Sequence, residues 1–142
     1  MNHYHEVMKN FRMADSTLRR AIEKYVARTG VYRSQHQMLM NLGKHPDCSQ
    51  MELEQRLEIT PAAVATTIKK LEKGGYVTRL VSEQDNRVNK LAVTEKGERI
   101  IAQSIQIFGE VEQKALQDFS PEEVLQFNDF VQRIRKNLEE IL

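Results

Sequence analysis

A single cysteine, Cys48, leaves this 142-residue chain without the pair an internal disulfide needs. A disulfide-stapled fold is excluded, and the cytoplasm is the expected compartment. Tryptophan is absent and aromatics make up only 6% of the residues. No apolar run approaches the roughly 18 residues of a membrane span, so no membrane partner is expected. The opening MNHYHEVMKNFRMADS is polar and has no apolar segment before a small-residue cleavage site, unlike a secretion signal. Glycine-rich phosphate loops, nucleophile elbows and HExxH are all missing, so no catalytic residue and no cofactor is assigned. The expectation is not an enzyme.

What remains is a chain with 40% hydrophobic and 29% charged residues, enough to bury one core. Net charge is only +1, but its distribution is uneven. Residues 60–90 carry six Lys or Arg against three acids, while residues 110–142 carry four against eight. Cationic charge is therefore concentrated in the middle of the chain.

Met8, Phe11, Leu18, Ile22 and Tyr25 recur at helical spacing, and Thr29-Gly30 ends that first helix. In SQHQ, Ser34 and Gln37 form a candidate capping box for a helix that buries Met38, Leu39 and Leu42 and ends at Gly43 and Pro46. SQME pairs Ser49 with Glu52 at the start of a short helix through Leu53 and Leu57. After a break at 58–60, Thr60 caps the next helix and Pro61 takes its first position. Two short helices joined by a tight turn point to a helix-turn-helix. The period then changes to that of strands in YVTRLV (76–81) and VNKLAV (88–93), separated by the polar turn SEQDNR. Thr94 caps a helix with Ile101, Ile105, Phe108 and Val111 on its apolar side. SPEE (120–123) starts a last helix, in which Phe127, Val131, Ile134, Leu138 and Ile141 form an a/d seam.

The helix over 61–73 carries the functional signal. Val64, Ile68 and Leu71 make one apolar stripe. The remaining surface holds Ala62, Ala63 and Thr66 at its start and Lys69, Lys70 and Lys73 at its end. Small side chains allow close approach to base edges, and alanine or threonine methyls suit thymine methyls. Lysines further along suit phosphates, which position a protein without reading sequence.

Residues 59–97, ITPAAVATTIKKLEKGGYVTRLVSEQDNRVNKLAVTEKG, resemble the recognition helix, wing and following segment of the MarR family of bacterial winged-helix regulators. Gly75, Arg79, Asp85, Arg87, Thr94 and Gly97 fall where that pattern places them, and the order of elements fits along the whole chain. The resemblance implies a mainly α fold with a small β-hairpin wing, a winged helix-turn-helix flanked by N- and C-terminal dimerisation helices. It implies a single domain over 1–142, with 31–96 as the DNA-binding part and 1–29 and 97–142 as dimerisation helices. The implied partners are double-stranded DNA, a second copy of the chain, and a small aromatic or anionic effector. The implied function is that of a sequence-specific transcriptional regulator, a ligand-responsive repressor acting on a palindromic site.

DNA contacts are expected from Thr60, Pro61, Ala62, Ala63, Thr66, Lys69, Lys70 and Lys73 on the helix and from Asp85, Asn86 and Arg87 on the wing. Arg87 is the candidate for the minor groove, oriented by Asp85. Thr66 and Asn86 depart from the family, which often has long basic donors there; this shifts the expected readout toward DNA shape. Tyr25, Tyr32, His36 and Met40 are candidates for lining an effector cleft. HPDC (45–48) has the spacing of a metal pair, but a zinc site needs three or four ligands, so no metal site is assigned and Cys48 reads as a turn residue. Alternatives are a metal- or thiol-responsive regulator of the same fold, and a winged-helix module that binds protein.

Overall fold

The Asn2 side chain accepts the Tyr4 amide at 3.0 Å and so starts the first helix, α1 (His3–Val26), in a computed structural model that describes residues 2–81 and 89–142. A short 3-10 turn (Ala27–Thr29) and Gly30, at φ 74°, end α1 and reverse the chain into α2 (Arg33–Lys44). Then come α3 (Gln50–Leu57), α4 (Pro61–Lys73), β1 (Val77–Val81), β2 (Asn89–Val93), α5 (Glu95–Ala115) and α6 (Pro121–Glu139). The strands pair antiparallel, with Val77 opposite Val93 and Arg79 opposite Leu91. The fold is mainly α with one β-hairpin, as the sequence implies. The connecting turn 82–88 lies outside the described residues, and no helix among those described is long and apolar enough to cross a membrane.

Two apolar clusters hold these elements. The larger joins Met38, Leu39 and Leu42 of α2, Leu53 of α3, Val64, Ile68 and Leu71 of α4, and Val77 and Leu91 of the hairpin. The smaller joins Ile22 and Val26 of α1 to Val111 of α5. Helix α5 links them, since Ile100 and Ile101 pack on the first cluster and Ile107 and Phe108 on the second.

Several local expectations are corrected by tertiary structure. Helix α2 is capped two residues earlier than Ser34: Gln35 reaches back to accept the Tyr32 amide at 2.9 Å. Gly43 lies inside α2 rather than ending it, and a Cβ there would be 3.0 Å from Ile101 Cδ1. The glycine serves the approach of α5. On α5, Ile105 points outward and Ser104 is buried in its place. Cys48 lies in the turn before the Ser49 cap, as expected, and its side chain is buried in the larger cluster. The a/d seam of the last helix is left open in a single chain: no residue of α6 is buried, Val131 and Ile134 are half-buried, and Phe127, Leu138 and, just beyond the helix, Ile141 are exposed.

Candidate nucleic-acid interface and adjoining cleft

Thr60 Oγ1 accepts the Ala63 amide at 3.1 Å, which fixes the start of α4. The break before it is made by Glu58, whose left-handed conformation (φ 53°) ends α3 and turns the chain. Val64, Thr67, Ile68 and Leu71 face the core. This burial turns Thr60, Pro61, Ala62, Ala63, Thr66, Lys69, Lys70 and Lys73 to solvent, all eight on the exposed surface of one helix. The Thr66 hydroxyl donates to the Ala62 carbonyl at 2.9 Å. Its hydrogen is spent on the helix, leaving Thr66 to offer its methyl and oxygen lone pairs.

The hairpin is tied to the far end of this helix. Arg79 Nε donates to Glu72 Oε1 at 2.7 Å, joining β1 to α4. Thr94 Oγ1 donates to the Gly75 carbonyl at 2.6 Å, and Lys96 Nζ donates to the Gly74 carbonyl at 2.7 Å while lying 4.7 Å from the Tyr76 ring. Gly75 has φ 77°, a conformation that excludes most side chains. The angle between helix and wing strand is thus fixed by contacts from three elements. Asp85, Asn86 and Arg87 lie outside the described residues.

An open cleft of about 710 Å³ lies between the end of α1, the start of α2 and Lys70 of α4. Tyr32, Arg33, Glu23 and Lys70 supply its aromatic and charged lining, and Lys70 Nζ sits 5.5 Å from the centre of the Tyr32 ring. Lys70 therefore faces the cleft mouth as well as the exposed side of α4. Of the four residues expected at an effector site, only Tyr32 lines this cleft. Tyr25 lines a separate groove between α1 and α5, and Met40 a third hollow beside Arg56 and Phe108. His36 is fully buried, and both its ring nitrogens meet hydroxyl groups. Each of the four side chains sits in a different environment.

Burial, reinforced by the Glu52 carboxylate, pushes the Cys48 thiol above its usual pKa. A raised pKa lowers the thiolate population that redox chemistry requires. His45 Nε2 lies 3.1 Å from an Arg56 nitrogen, and no group of three metal-binding side chains occurs among the described residues.

The model of the MarR family matches residues 29–87. YybA of Bacillus subtilis (strain 168), an uncharacterized HTH-type transcriptional regulator, is 30% identical over 107 residues, covering 75% of this chain and 71% of YybA. The chain belongs to the MarR family. The HTH-type transcriptional regulator BilQ of Clostridium symbiosum is 32% identical over 98 residues, or 69% of this chain and 68% of BilQ. The fold is also that of S. aureus MepR in its crystal structure with DNA, with TM-score 0.81, 22% identity, and coverage of 90% of this chain and 93% of that one. This MarR-family chain is a transcriptional regulator, not an enzyme.

Two sets of contacts in this MarR-family chain escape sequence reading. The Glu72–Arg79 pair joins a helix to a strand and has no local signature. Thr29, His36 and Ser104 meet across 75 residues of chain, and only the histidine attracts notice in the sequence.

Proposed function

We propose that this regulator binds duplex DNA as a homodimer and inserts α4 into the major groove. The exposed face of α4 carries the reading: three small residues at its first turns, then Lys69 and Lys73. Base edges accept the small surface and phosphates the cationic one. On the family pattern Arg87 is assigned to the adjoining minor groove, oriented by Asp85, with Asn86 beside them at the wing tip. MepR, which shares this fold, has been crystallised with DNA, and that supports the docking by analogy.

The unburied apolar side chains of the outer helices support the dimer. Tyr4, Val7 and Met13 of α1 and Leu125, Phe127, Phe130 and Leu138 of α6 are all exposed in one chain. Helices that bury against a second copy are expected to carry such unburied apolar side chains. A two-fold dimer presents two α4 helices and requires a palindromic site.

The cleft beside α4 is assigned to a small effector. Tyr32 offers a flat ring, and Arg33 and Lys70 offer positive charge, a combination suited to an aromatic or anionic molecule. Such a ligand acts by preferring a dimer whose α4 helices are wrongly spaced, which releases DNA. The output is repression relieved by ligand, in the cytoplasm. The test is affinity for random-sequence duplex measured against salt. A log–log slope near zero, as for a protein-binding module, would refute it.

A further inference from the structure

His36 has no exposed surface, yet it is a polar side chain in the middle of α2. Its Nε2 lies 2.9 Å from Thr29 Oγ1, in the turn that leaves α1. Its Nδ1 meets Ser104 Oγ, on α5. Each hydroxyl also lies beside a helix carbonyl, and the one that gives its hydrogen to the ring cannot also give it to that carbonyl. Thr29 Oγ1 lies 2.7 Å from the Val26 carbonyl and accepts the Val31 amide at 3.2 Å. Ser104 Oγ lies 2.8 Å from the Ile100 carbonyl.

A neutral imidazole has one donor and one acceptor, so one hydroxyl gives a hydrogen to the ring and the other receives one. Every member is satisfied, and no buried side-chain polar atom among the described residues lacks a partner. An aliphatic side chain at 36 would fill similar space without polar groups to desolvate. The polar chain gains directionality instead, because a fully bonded buried network holds one arrangement of the elements it joins.

The bridge joins elements that also pack through apolar contacts. Helix α2 packs in the same cluster as α4, with Met38 and Leu39 of one and Ile68 and Leu71 of the other among its members. Helix α5 continues to the α1–α5 cluster. The turn held by Thr29 runs between Val26 and Val31, which line the cleft. The cleft wall, the winged-helix body and α5 therefore share one buried junction.

We infer that Thr29, His36 and Ser104 are positioning residues: a single hydrogen-bonded bridge that sets the orientation of the winged-helix body on α5. Through that orientation the bridge sets the spacing of the two α4 helices and transmits displacement of the cleft wall to it. The last step rests on the proposed dimeric DNA binding; the orientation itself does not.

The experiment has two arms, both on the full chain. In the first, spin labels at Gln55→Cys on α3 and Gln103→Cys on α5, in a Cys48→Ala background diluted with unlabelled protein, report the orientation within one chain. A single narrow distance is expected with the bridge intact. Thr29→Val, Ser104→Ala and His36→Leu should each shift or broaden it. An unchanged distance in His36→Leu or in both hydroxyl variants, with helical content retained, overturns the inference whether or not the protein binds DNA. In the second arm, each hydroxyl variant should lose roughly tenfold in DNA affinity, the scale of one buried hydrogen bond. The double variant should lose no more than the worse single, because Thr29 and Ser104 act through the same ring. Additive losses overturn the bridge as a unit. Failure of the unmodified protein to bind any duplex sinks the proposed function instead, and the first arm still decides the orientation.

Discussion

Gly97, in the first turn of α5, lies so close to the Tyr76 carbonyl that a methyl group on it would sit 2.2 Å from the oxygen. The same methyl would meet Val93 Cγ1 at 2.7 Å. The Tyr76 carbonyl accepts the Thr94 amide at 3.0 Å, so it has little freedom to withdraw. Gly97→Ala should therefore destabilise the chain by about 1–3 kcal/mol through overpacking at the root of the wing. Urea denaturation checks this; an unchanged midpoint would mean that the close approach is absent in solution.

Lys69 projects from α4 with no ion-pair partner among the described residues. Lys69→Ala should weaken binding by a similar factor on every duplex and reduce the salt slope by about 1. Loss confined to one DNA sequence would move Lys69 from phosphate to base.

Burial holds the His36 imidazole below its ordinary pKa of 6.5, opposed in part by the Val31 backbone. The unfolded chain then takes up the proton before the folded one, so stability is full above pH 6.5 and declines as pH falls through and below that value. The urea midpoint should drop between about pH 8 and about pH 5, and His36→Leu should remove part of that slope. An identical slope in the variant would show that His36 contributes none of it.

Phe127 and Leu138 leave about half their surface exposed, at 45% and 49%. If α6 seats against a second copy, Phe127→Asp with Leu138→Asp would bury two unpaired charges in that contact. Light scattering should then report a monomer with its helical content intact. A variant that stays dimeric would place the interface elsewhere.

The contrast between α4 and α2 shows what the sequence can carry. Thr60, Pro61, Val64, Ile68 and Leu71 lie within twelve residues, and each acts on its own helix, so the start and buried face of α4 are readable locally. Gly43 looks locally like a helix stop because its actual partner, Ile101, is on a helix 58 positions away. The SQHQ run suggests Ser34 as the cap, but Gln35 reaches back to Tyr32, outside that run and without a side chain that marks a cap. Ile105 and Ser104 are adjacent, and apolar periodicity favours the isoleucine; His36 reverses the choice by bonding to the serine. For the effector candidates, chain position near α1 and α2 does not determine which hollow a side chain faces. Tyr25 and Tyr32 sit on opposite sides of the α1 exit, facing different hollows.

Selection of bound duplexes from a random DNA pool tests the central claim, that two copies of the α4 face read a palindrome. The enriched site should hold inverted half-sites whose centres are one helical turn apart, roughly 34–36 Å, so that both α4 helices enter successive major grooves. A·T pairs should dominate beneath Ala62, Ala63 and Thr66, where thymine methyls meet small side chains. A single unrepeated half-site, or a pool no different from its starting composition, would contradict the account.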